Sequence, residues 1–297
     1  MNSAKQIKAT LIGGTAVLMW GFLALFTTLT GNVPPFLLAA LSFGIATTLI
    51  LIKWLVRREK IILHLKQPIG AWLIGVCGLF GYHFFYFMAL RNAPPVEAGL
   101  IAYMWPLLIV LFSALLPGEK LRWWHVLGAI IGFLGAALLV TGGTGLSSFK
   151  TEYALGYTMA VICALTWSCY SVLNRRFAHV PTDTVGGFCF ATALLATLCH
   201  LMFETTVFPQ STLQWFAVFG LGLLPVGAAF FVWDYGTKHG NIQVLGAFAY
   251  AAPLISTLVL IIAGKGDPSW NVAAACLMIV GGAVIASKDM LIRNPSE

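Results

Sequence analysis

The chain reads as an all-α integral membrane protein, with ten transmembrane helices in two inverted five-helix repeats. Three features of the sequence predict this fold. Its 297 residues are 59% hydrophobic and only 9% charged, with a mean hydropathy of +0.89, which is more apolar surface than a soluble fold of this length could bury. The apolar residues come in segments of about 20, the length that crosses a bilayer as a helix. The sequence also repeats itself at a constant offset of 147 residues: Trp20 meets Trp167, Val33-Pro34 meets Val180-Pro181, Gly99 meets Gly246, Tyr103 meets Tyr250, Pro106 meets Pro253, Trp123 meets Trp270 and Gly135-Ala136 meets Gly282-Ala283. Each copy holds five segments, and an odd number forces the second copy to insert upside down. Secondary transporters that rock two pseudo-symmetric halves about a central site are built this way. The repeat divides the chain into units 1–147 and 148–297.

The spacing predicts helices over 9–31, 35–56, 70–90, 95–115, 122–142, 154–174, 183–203, 213–235, 241–262 and 269–288. Turn and charge signals punctuate them. Pro34-Pro35 separates the first from the second, and Arg57-Arg58-Glu59-Lys60 closes the second. Pro94-Pro95 parts the third from the fourth, and Pro117-Gly118-Glu119-Lys120 the fourth from the fifth. Gly142-Gly143 ends the fifth, Arg175-Arg176 the sixth, and Gly264-Lys265-Gly266 follows the ninth. Strands are excluded, because the runs are too long and do not alternate.

Orientation follows from the basic residues. With the N-terminus inside, only Arg91, Lys150 and Lys265 of the 17 Lys and Arg fall outside, so both termini are expected in the cytoplasm. The net charge of +7 therefore belongs to membrane topology and not to nucleic-acid binding. The first helix is expected to be retained, since it lacks a convincing cleavage site. The six cysteines lie in apolar segments without metal or disulfide spacing and read as small hydrophobic filler.

Two five-helix halves, with Trp20 and Trp167 on the first helix of each and Pro106 and Pro253 on the fourth, resemble the drug/metabolite transporter superfamily in its ten-span EamA branch, over nearly the whole chain. Gly81-Tyr82-His83-Phe84-Phe85-Tyr86, with Ala98-Gly99-Leu100-Ile101-Ala102-Tyr103-Met104-Trp105-Pro106-Leu107, resembles the YddG-type aromatic amino acid exporters of that branch. The resemblance implies export of aromatic amino acids and other hydrophobic solutes from the cytoplasm across the bacterial inner membrane. It also implies a central cavity lined by helices 1–4 and 6–9, with helices 5 and 10 peripheral.

The residues themselves point to a similar site. Trp54, Trp72, Trp123, Trp124, Trp215 and Trp270 sit near span ends and read as an interfacial belt, with Trp233 ambiguous. Trp20, Trp105 and Trp167 lie well inside their spans, where each indole N–H needs a partner that a solvated cavity supplies. Tyr82, His83 and Tyr86 form a polar aromatic patch on one face of the third helix, and an ionisable residue at that depth tends to face a pathway. Trp167, Tyr170, Ser171 and Asn174 follow the i, i+3, i+4, i+7 pattern of one polar face on the sixth helix; for Ser171 and Asn174, contact between helices is an equal alternative. Tyr103 and Trp105 point about 200° apart on a regular helix, so both face the centre only if the helix is distorted. Tyr250, the repeat partner of Tyr103, is placed in the cavity with it. Pro106 and Pro253 free the carbonyls of Ala102 and Ala249, which makes paired kinks, gate hinges and acceptors for an ammonium group. Pro225 falls on Gly78 in the repeat and carries less weight. Gly128, Gly132, Gly135 and Gly281-Gly282 let the fifth and tenth helices pack closely within one chain.

What is missing shapes the mechanism. No Asp or Glu lies near the middle of a span, and Glu97 and Asp234 sit toward span ends. The four-span multidrug relatives use a carboxylate in the first helix, where this chain has Trp20. No mid-span Lys or Arg is present to clamp an anion. An aromatic site with hydroxyls, one imidazole and one amide suits a neutral zwitterion with an apolar side chain. The expected protein is a monomeric, multi-pass amino acid exporter working by alternating access without tight ion coupling. It needs no cofactor or metal, binds no nucleic acid and is not an enzyme. The rival expectation is a broad exporter of hydrophobic or cationic compounds, coupled to protons through His83.

Overall fold

The computed structural model describes residues 3–143, 150–265 and 267–289, all helix, turn and loop, with no strand among them. The expected unit boundary at 147/148, Gly266 and Arg293 lie outside the described residues. Among the described residues, nine helices are long and apolar enough to cross a membrane: α1 (Ala4–Leu29), α2 (Pro35–Val56), α3 (Ile69–Asn92), α4 (Pro95–Leu115), α5 (Trp123–Thr141), α6 (Thr151–Phe177), α7 (Thr182–Phe203), α8 (Thr212–His239) and α9 (Ile242–Ile262). A shorter apolar helix, α10 (Trp270–Ala286), follows. Short connections make consecutive helices antiparallel. The face on which α1 begins is called near here, and the opposite face far.

The dominant helix pairs are α1 with α8, α3 with α6, α2 with α7 and α5 with α10. Exchanging the two halves turns the first pair into the second and leaves the other two unchanged, the pattern of a two-fold pseudo-symmetry. Small residues permit the closest approaches. A Cβ on Gly128 of α5 would overlap the carbonyl oxygen of Gly282 in α10, and one on Gly282 would overlap that of Gly128. Gly281 faces open space.

Polar ties fix the helix ends. Glu204, at the far end of α7, accepts from the backbone N–H groups of Phe36 (2.9 Å) and Leu37 (3.1 Å), capping the otherwise uncapped start of α2. At the near end, Asp183 of α7 takes Lys53 Nζ (2.5 Å) and Trp54 Nε1 (3.1 Å) from α2. Trp54 is therefore 1% exposed and stacked on His64, which removes it from the expected belt, whereas Trp123 and Trp270 are 67% and 81% exposed. Glu59, His64 and Asp183 lie close enough to share an ion, but Lys53 and Trp54 already engage Asp183, and Glu59 engages His64.

Candidate functional site

Regular helices would not carry this site, because the helices around it depart from regularity at matched points. α3 widens into a π-turn at Cys77–Gly81, and α8 does so at Leu224–Ala228, the same positions in the two repeats. One extra residue in a turn rotates everything beyond it, and such turns concentrate at functional sites. In α3 the turn brings Tyr82, His83, Tyr86, Phe87 and Leu90 onto the face that lines a central cavity. In α8 it turns Val226 and Phe230 inward. α4 is interrupted at Tyr103–Met104, α9 at Ala249–Tyr250 and α1 at Gly21–Phe22. The first two breaks lie just before Pro106 and Pro253, which cannot donate to the turn behind them.

The cavity has a volume of about 430 Å³ and narrows to a deeper pocket of about 90 Å³. At its floor Trp20, Trp105, Trp167 and Trp233 stand with ring centroids 5.1 to 6.4 Å apart, mostly edge to face, within the range of favourable aromatic contact. Phe230 packs on Trp20 and Trp167 and stacks on Phe43 at 5.7 Å. Trp20 Nε1 donates to the carbonyl oxygen of Pro225 at 3.1 Å, and Trp233 Nε1 donates to Ser171 Oγ at 3.1 Å.

The wall is polar without being charged. His83 Nδ1 donates to the carbonyl oxygen of Leu79 at 2.7 Å, which leaves Nε2 as an acceptor. Its ring meets Tyr82 and Phe43 edge-on. Tyr82 and Tyr86 stack at 6.0 Å. Among the described residues, the hydroxyls of Tyr82, Tyr86 and Tyr103 and the indole N–H groups of Trp105 and Trp167 make no hydrogen bond, and no Asp, Glu, Lys or Arg lines the cavity. These donors converge on one space that a small polar-and-aromatic solute can fill.

Of the residues singled out from the sequence, Trp20, Tyr82, His83, Tyr86, Tyr103, Trp105 and Trp167 line this space. Tyr103 and Trp105 both reach it, because the break between them undoes the 200° separation of a regular helix. Four others lie elsewhere. Tyr170 packs on Gly78 and on Trp167 and lines a separate groove between α3 and α6. Ser171 is fully buried and holds Trp233. Asn174 binds Asp234 and Thr237 at the near end. Tyr250 turns away from the cavity and accepts from the backbone N–H of Leu107 at 3.0 Å, a donor freed by the break in α4. Contrary to expectation, α7 contributes no lining residue among those described; it backs α2 instead.

The sequence reading missed Phe43, Leu221, Pro225, Val226, Phe230 and Ala252 in the lining and Trp233 in the floor. The repeat held the signal for two of them: at the 147-residue offset His83 falls on Phe230 and Tyr86 on Trp233.

Comparison with known proteins agrees with this architecture. The EamA-like transporter family model matches twice, over residues 7–141 and 154–288. The aromatic amino acid exporter YddG of Ancylobacter novellus is 54% identical over 279 residues, covering 94% of this chain and 96% of that one. The aromatic amino acid exporter YddG of Escherichia coli is 25% identical with the same coverage. The pseudopaline exporter CntI of Pseudomonas aeruginosa is 26% identical over 82% of this chain and 81% of its own. A solved crystal structure superposes with a TM-score of 0.90 at 52% identity, over 97% of this chain and all of the other.

Proposed function

Because this chain belongs to the EamA-like transporter family and is a multi-pass protein of the bacterial inner membrane, we propose that it exports aromatic amino acids from the cytoplasm by alternating access. The observation that carries this reading is the cavity: a floor of tryptophans beneath a wall of free hydroxyl and indole donors, with no fixed charge. A volume of about 430 Å³ lies in the roughly 300–1,000 Å³ range of small-molecule sites. An aromatic side chain entering the tryptophan floor gains edge-to-face contact of about 0.5–1.5 kcal/mol per ring pair beyond its buried area. The ammonium group is held over an aromatic face, and the carboxylate accepts from Tyr82, Tyr86, Tyr103 or Trp105.

The positive-inside bias makes the near face cytoplasmic, so the cavity, whose mouth is lined by Thr27, Pro35, Leu38 and Leu90 at the far ends of α1, α2 and α3, is open to the outside here. The breaks before Pro106 and Pro253 serve as hinges on which half-helices swing. Without a mid-membrane carboxylate, the substrate gradient drives the cycle. The chain acts as a monomer, since the close glycine contacts of α5 and α10 are met within it.

Counterflow tests the proposal. Proteoliposomes loaded with unlabelled phenylalanine should accumulate labelled phenylalanine without any ion gradient, competed by tryptophan and lost in Trp167→Ala and His83→Ala. Folded protein that gives no counterflow with any amino acid would transfer the assignment to a broad exporter of hydrophobic compounds.

A further inference from the structure

Beneath the tryptophan floor, the near end is shut by charges that the cavity lacks. Asp234 and Lys238 lie one turn apart on α8 with Oδ2 and Nζ at 2.9 Å, 0% and 4% exposed. Asp234 also accepts from Asn174 Nδ2 on α6 (2.9 Å) and Thr182 Oγ1 on α7 (2.7 Å). Lys238 donates to the carbonyl oxygen of Val180 between those helices (3.0 Å), and Asn174 to Thr237 Oγ1 (3.2 Å). Trp233, adjacent to Asp234, belongs to the floor itself. A deeply buried ion pair adds little net stability, because both partners lose their hydration. Its presence on the solute path calls for a different account.

The repeat supplies one. Asn174, Thr182, Asp234 and Thr237 correspond to Thr27, Pro35, Phe87 and Leu90, all four of which line the open far mouth. When the near end opens in the same way, Asn174, Thr182, Asp234 and Thr237 line its entrance. We propose that Asp234 and Lys238 form an entry site for the amino acid zwitterion, in which Asp234 takes the substrate ammonium and Lys238 the carboxylate as the two side chains part. Positions one turn apart hold their Cβ atoms about 5–6 Å from each other, so the two charges bracket an α-carbon that bears both groups. No proton moves and no covalent bond changes. The far mouth has Phe87 where the near end has Asp234, so at this repeat position a zwitterion meets a carboxylate on its way in and a phenyl ring on its way out. This inference rests on the amino acid exporter reading.

The test uses full-length protein in proteoliposomes of uniform orientation, with labelled phenylalanine offered at one face at a time. The neutral pair Asp234→Asn with Lys238→Met leaves no lone buried charge. It should raise half-saturation at the near face ten-fold or more and keep the far-face value within two-fold. Asn174→Ala loosens the closure but keeps both charges, and should leave near-face half-saturation unchanged or lower. Equal weakening at both faces, or the same near-face rise in Asn174→Ala, would assign the network to closure alone and overturn the entry site. Should the neutral pair fail to fold, Lys238→Arg must preserve near-face half-saturation within three-fold while Lys238→Met loses it; equal loss overturns the proposal. Wild-type protein that moves no phenylalanine would sink the exporter reading instead.

Discussion

At the near end, Asn174, Thr182, Asp234, Thr237 and Lys238 join α6, α7 and α8 through hydrogen bonds and an ion pair. At the far end the repeat counterparts of the first four, Thr27, Pro35, Phe87 and Leu90, line an open mouth, while Arg91, the counterpart of Lys238, is drawn aside to Glu204 at 3.6 Å. One backbone plan thus carries a polar closure at one end and an apolar rim at the other. Inverted repeats supply two conformations of similar geometry. Under the proposed alternating access, the side chains at the two ends are expected to set how the populations divide between them, at 1.4 kcal/mol for each factor of ten.

The most direct way to break this comparison is to make the ends alike. Phe87→Asp with Thr27→Asn places an acid one turn before Arg91 and an amide opposite it, copying the near-end arrangement at the far end. The far mouth should then close. Counterflow should fall by roughly a hundredfold, the change expected for a bias of about 3 kcal/mol. Ser171→Cys, fully buried here, should become reactive to an impermeant maleimide applied at the near face. Wild-type transport in this variant would show that end chemistry does not set the conformational balance.

A milder perturbation removes one tie from the closed end. Arg175 binds Glu119 at 2.6 Å and the carbonyl oxygens of Thr237 (3.2 Å) and Gly240 (2.7 Å). It thereby fastens α6 to the α4–α5 and α8–α9 connections. A hydrogen bond involving a charged group contributes about 1.5–3 kcal/mol, and the rest of the network remains. Arg175→Ala should therefore raise near-face labelling of Ser171→Cys roughly tenfold. An unchanged labelling rate would confine the closure to Asp234 and its partners.

The sequence made the helices legible, because each apolar run is bounded by prolines, glycines or charges and lipid leaves the backbone no alternative to a helix. It also made the deep tryptophans and the Tyr82–His83–Tyr86 patch legible, since polar atoms at that depth need partners. Helix rotation was less accessible. Tyr170, Ser171 and Asn174 share a face with Trp167, yet the face slopes away from the cavity toward α3 and the near end. The π-turns were hidden as well, because nothing in Cys77-Gly78-Leu79-Phe80-Gly81 marks a widened turn, and Pro225 in its counterpart has no proline partner in the first repeat. Asp234 looked peripheral from its distance to the span end, while its burial depends on α6 and α7, which are far away in sequence.

The smallest and sharpest comparison is between Tyr103 and Tyr250, one residue type at one repeat position with opposite uses. Tyr250 is fully buried, and its hydroxyl accepts the Leu107 N–H that the break in α4 leaves without a helical partner. Tyr103 lines the cavity, and its hydroxyl has no protein partner among the described residues. Tyr250→Phe strands that N–H at a cost of about 1–3 kcal/mol, so the unfolding temperature should drop by several degrees while phenylalanine half-saturation stays within two-fold. Tyr103→Phe strands nothing, so stability should hold while half-saturation weakens about five-fold, as expected for one lost hydrogen bond of about 1 kcal/mol. Thermal unfolding and counterflow measured on the same two preparations decide the matter. If both variants lose stability, or both lose affinity, the hydroxyls are equivalent and the repeat has kept their roles the same.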